Sequence, residues 1–154
     1  MHLPRPLVPV LVGLVALIAL AGCGKATAPP APTPADFPGI ADQLSTVGIK
    51  VANVVSGDAG CPDLGLARTA IGFDASGLDQ PTPVRIRLYI FRDHEAWQRL
   101  SASVATCAQS YVTDPATYES LAPSPFVVSG QGPWAPGFAG ALEKAFTEAA
   151  GTGG

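Results

Sequence analysis

The chain has 154 residues, 47% of them apolar and only 14% charged, with 17 glycines and 16 prolines. That length suits one domain, and the composition implies a compact core joined by loop-rich connections. The formal net charge is −3 and the chain has no basic run, so a nucleic-acid surface has no electrostatic footprint, nor does adhesion of the folded part to anionic lipid.

The N-terminus carries the strongest pattern. One cation, Arg5, precedes an apolar stretch from Leu7 to Leu20, interrupted only by Pro9 and Gly13 and followed by Ala21, Gly22 and Cys23. A charged start, a short apolar core and small residues describe a secretory signal. The stretch is shorter than the roughly 20 residues a spanning helix needs. Leu20-Ala21-Gly22-Cys23 resembles the lipobox of bacterial lipoproteins. The resemblance implies cleavage between Gly22 and Cys23, acylation of the Cys23 thiol, palmitate among the attached chains, and a membrane location on the extracytoplasmic side. Residues 1–22 are then the signal peptide, and the mature chain has eight basic against twelve acidic side chains.

Residues 23–36 follow as a lipidated cysteine and a Pro/Ala-rich tether, with four prolines among small residues between Ala26 and Ala35. Such a segment favours extended polyproline II, and at about 3.1 Å per residue it can hold a domain on the order of 40 Å from a lipid surface.

Residues 37–150 are expected to form a single α+β domain, with residues 151–154 as a frayed tail. Asp36 is placed to cap a short helix through Ile40, Leu44 and Val47, stopped by Gly48. Ile49 to Val55 reads as a first strand, weakened by Asn53. Ser56 to Gly60 is a turn cluster leading to Cys61-Pro62, and Thr69, Ile71 and Phe73 alternate as a second strand. Ser76 to Pro83 reads as a loop. Val84 to Phe91 is the clearest strand: Val84, Ile86, Leu88 and Ile90 line one face, Arg85, Arg87 and Tyr89 the other. One buried and one wet face favour an antiparallel sheet of about four strands with helices packed on one face.

Asp93 caps the main helix, whose stripe is Trp97, Leu100, Val104, Cys107 and Tyr111. Asp114-Pro115 ends that region. Phe126 to Val128 is a fourth strand, Ser129 to Pro133 a loop, and Pro136 suits the first turn of a last helix bearing Phe138, Leu142, Ala145, Phe146 and Ala149.

Cys23 aside, the cysteines are Cys61 and Cys107. Outside the cytoplasm a disulfide is the default for such a pair, and the Cys-x-x-Cys spacing of a redox motif is absent. His94 is the one histidine left after cleavage, so zinc and triad chemistry lack partners. Asp58, Asp63, Asp74, Asp79, Asp93 and Asp114 fall in turns or caps, where aspartate has a local structural job. No metal, cofactor or catalytic residue is expected. Possible ligand contacts are Arg85, Arg87 and Tyr89 on the wet strand face, where a guanidinium pair suits a carboxylate or phosphate, and Trp134 in its Gly/Pro loop.

Ser56-Gly57-Asp58-Ala59-Gly60-Cys61, Tyr89 to Asp93 and Gly132-Pro133-Trp134 together resemble small lipoproteins of high-GC bacteria that have no assigned activity. The expected function is a non-enzymatic binding or interaction module, held to the membrane through acyl chains on Cys23, with an envelope protein or small ligand as partner. The alternative is a carrier with an apolar cavity between sheet and helices. An enzyme of unrecognised type ranks last.

Overall fold

The computed structural model describes residues 37–151. The lipobox and tether expectations, and the proposed cap Asp36, lie outside the described residues, as do residues 152–154.

The elements run α1 (Pro38–Thr46), β1 (Lys50–Ser56), α2 (Leu64–Ala67), β2 (Ala70–Gly77), β3 (Gln80–Ile90), α3 (His94–Ala108), a 3-10 turn (Pro115–Thr117), β4 (Tyr118–Leu121), β5 (Phe126–Gln131) and α4 (Pro136–Gly151). The strands form one antiparallel five-stranded sheet in the order β1-β2-β3-β5-β4. The α+β class is therefore as expected, with α2 and β4 added to the expected order. Among the described residues no helix is long and apolar enough to cross a membrane.

Strand alternation divides the core in two. Ile71, Phe73, Ile86, Leu88 and Val128 point to one face, where Leu44 of α1 and Phe138, Leu142 and Phe146 of α4 meet them. Eight of these nine, all but Phe146, are 0% exposed. Phe37 opens the domain by packing its ring 5.1 Å from that of Phe73. The opposite face carries Ala70, Tyr89 and Val127, and α2 and α3 close over it with Leu66, Ala96, Val104 and Cys107.

Helices thus cover both faces, which corrects the one-face arrangement. Only α1 and α4 lie on the expected side. The strand β3 explains why: Tyr89, placed on its wet face, is fully buried under α3.

Two further differences have local causes. The expected loop from Ser76 to Pro83 is a tight turn at Leu78-Asp79, with Gln80 already in β3. Pro81 and Pro83 fit there because β5 pairs with β3 only from Ile86 onward, leaving that stretch without a partner on one side. Ser129 to Gln131 belong to β5, paired with both β3 and β4. Asn53 does weaken β1: it takes φ +50°, and the register shifts between Ala52 and Val55.

Caps set the helix starts. Asp93 accepts from the Ala96 amide at 2.7 Å, as expected. Asp63 accepts from Gly65 and Leu66, nucleating the short α2. Asp79, in the β2–β3 turn, accepts 2.8 Å bonds from the Gly137 and Phe138 amides and so ties that turn to the start of α4.

Candidate functional site

The densest polar arrangement lies on the α3 side of the sheet, under the strap of residues 57–63 that connects β1 to α2. Arg85 and Arg87 alternate outward from β3, and the strap lays Asp58 across both. Arg85 Nη2 donates to Asp58 Oδ2 at 2.8 Å, and Arg87 Nε donates to Asp58 Oδ1 at 3.3 Å. Arg85 Nη1 also reaches Asp74 Oδ1 at 3.2 Å and the Asn53 carbonyl at 2.9 Å. The Arg87 guanidinium lies 4.0 Å from the centroid of the Tyr111 ring, within the range of a cation–π contact. Tyr111 Oη and Ser129 Oγ are 2.7 Å apart, and Tyr89 Oη donates to the Ala59 carbonyl at 2.8 Å.

Glycine makes this close approach feasible. A Cβ on Gly72 would stand 2.4 Å from Asp58 Oδ2, and one on Gly60 would stand 2.3 Å from the Tyr111 ring and 2.4 Å from Arg87 Nε. Gly60 also holds φ +77°, a conformation that other residues adopt only with strain.

The charges shift accordingly. Partial burial raises the Asp58 carboxyl pKa, but the Arg85 hydrogen bond and the nearby Arg87 and Arg85 charges outweigh it and hold the group below its usual value. Asp74 is also lowered, first by the hydrogen bond from Asn53. For Arg85 desolvation lowers the pKa, and the two aspartates more than reverse that. Burial drives the Tyr89 phenol far upward and raises Tyr111 as well, so both remain neutral hydrogen-bonding groups. The cluster is charge-balanced, with two guanidiniums against two carboxylates.

Of the expected contact residues, Arg85, Arg87 and Tyr89 do come together, but each is engaged within the domain. Trp134 lies apart from them, on the α1/α4 side. It is 5% exposed, packs edge-on to Phe138, and leaves its indole N–H without a partner. Asp58, Tyr111 and Ser129 were not expected in the cluster. The turn around Asp58 is visible in the sequence, whereas its pairing across 27 and 29 positions is not.

His94 is exposed at the start of α3 and stacks on Trp97. Its Nδ1 is 2.8 Å from Ser124 Oγ, and its Nε2 is 2.8 Å from Gln98 Nε2.

Cys61 and Cys107 form a disulfide with Cα atoms 5.4 Å apart. An open groove of about 460 Å³ runs beside it, lined by both cysteines, Asp63, Ser103, Thr106 and Ser110. A second groove of about 260 Å³ lies between Ala105, Ala108 and Val112 on one side and Pro115 and Tyr118 on the other. Among the described residues no group of three or more His, Cys, Asp or Glu is placed to hold a metal ion.

No protein-family model, curated protein or solved structure matches this chain.

Proposed function

We propose that the chain is a lipoprotein, anchored to the outer side of a cell membrane through acyl chains on Cys23, whose domain is a non-enzymatic binding or interaction module. The observation that carries this is Cys23 directly after Leu20-Ala21-Gly22, behind an apolar stretch too short to span a bilayer. The Cys61–Cys107 disulfide lends support, since such bonds persist in oxidising compartments and are rare in the cytoplasm.

Two observations favour a module over a carrier or an enzyme. The large side chains between the sheet and α1/α4, among them Leu44, Phe73, Phe138, Leu142 and Phe146, are 0–1% exposed, where a carrier needs an apolar cavity. The conspicuous polar cluster is satisfied internally, with Asp58 and Asp74 holding Arg85 and Arg87.

The test is metabolic labelling with palmitate together with mass spectrometry of the native protein. Cys23→Ala is expected to abolish labelling and leave the precursor unprocessed. Unchanged labelling of that variant, or a native protein that retains Met1 to Gly22, refutes the anchor.

A further inference from the structure

We propose that the Cys61–Cys107 disulfide is a redox-sensitive lock on one layer of the domain: reduction loosens the strap and the C-terminal half of α3 while the sheet and the α1/α4 layer stay folded. The two layers differ in what their helices contribute. On the α1/α4 side, Phe37, Leu44, Phe73, Phe138, Leu142 and Phe146 supply large buried side chains. On the other side the large buried side chains are Leu66, Tyr89 and Phe91, none of them from α3; α3 itself buries only Ala96, Val104, Cys107 and Ala108, with Trp97 and Leu100 partly buried. Small side chains remove little apolar area from water, so this helix gains less from packing than α4 does.

Its two halves are also held differently. The N-terminal half has the Asp93 cap and a 3.0 Å bond from the Trp97 indole N–H to the Phe126 carbonyl. The C-terminal half is tied by Val104, Ala108 and the disulfide. The strap, in turn, presents one fully packed side chain, Ala59, and otherwise depends on polar contacts and Cys61. Elements with few buried apolar contacts open first.

The bond is reachable. Cys61 is partly exposed and borders the 460 Å³ groove, while Cys107 is 4% exposed. A dithiol's thiolate can therefore attack Cys61 Sγ, forming a mixed disulfide as Cys107 departs as a thiolate and takes a proton. The second thiolate of the dithiol then closes on its own first sulfur and releases Cys61. Two electrons pass from the dithiol to the protein, leaving two cysteine thiols and one oxidised reagent. The loosened strap carries Asp58, so reduction also weakens the hold on Arg85 and Arg87.

The experiment is hydrogen exchange with mass spectrometry on the full chain in detergent, oxidised and after dithiothreitol. Exchange in residues 57–63 and 104–113 is expected to rise by about tenfold or more, with residues 71–75, 86–88 and 138–146 changing less than about twofold. The double variant Cys61→Ser/Cys107→Ala is expected to show the same pattern without reductant. A comparable rise in every element would make the bond a global staple and overturn the proposal. So would unchanged exchange in the reduced chain, or a bond that excess dithiothreitol leaves intact.

Discussion

Replacing Asp58 with asparagine keeps the shape of the strap and deletes the charge that Arg85 and Arg87 share. Three donor contacts are affected, at 2.8, 3.3 and 3.3 Å. Hydrogen bonds to charged groups contribute roughly 1.5–3 kcal/mol each when sheltered. Here the side chains are 14–30% exposed, Arg85 keeps Asp74 and the Asn53 carbonyl, and Arg87 keeps Tyr111. Discounted for solvent and for those remaining partners, the loss at pH 7 is expected to be about 1–2 kcal/mol in urea unfolding. Because the native Asp58 pKa is depressed below 3.8, its contribution is fully present above that value and disappears as pH falls through the native one. The wild-type and variant stability curves should therefore converge under acid. A variant as stable as wild type at pH 7, or a gap that does not narrow as the pH falls below 3.8, refutes the assigned role of the carboxylate.

Leu88→Ala, in the centre of the sheet at 0% exposure, is expected to cost about 2–5 kcal/mol by thermal or urea unfolding; a smaller loss would mean that the α1/α4 layer collapses onto the gap. Gly60→Ala places a methyl against Tyr111 and Arg87 at a positive φ, so destabilisation by at least about 1 kcal/mol and altered Tyr111 fluorescence are expected. Unchanged stability would show that the strap can move aside without penalty.

Local signals made much of the fold legible. The alternation of Val84, Ile86, Leu88 and Ile90 marked β3, Asp93 marked the start of α3, and Gly48, at φ +87°, marked the end of α1. The elements that escaped notice are short or polar. The strand β4, Tyr-Glu-Ser-Leu, is an edge strand with no apolar run, and α2 has four residues held by an aspartate cap. Pro81 and Pro83 looked like a loop because proline usually interrupts a sheet, and only the missing neighbour on one side accommodates them. The candidate cluster was half legible. Two arginines and a tyrosine on one strand face could be read by periodicity, but their burial could not, because it depends on α3 and the strap returning over that face from elsewhere in the chain.

The burial of Phe37 has a mechanical consequence. The described chain begins with this ring wedged against Phe73, at 3% exposure, so tension arriving from the preceding residues enters through the layer with the bulkiest interior. The face closed by Cys61 and Cys107 lies across the sheet from that entry point. Force applied at residue 37 therefore has to cross the sheet before it reaches that face.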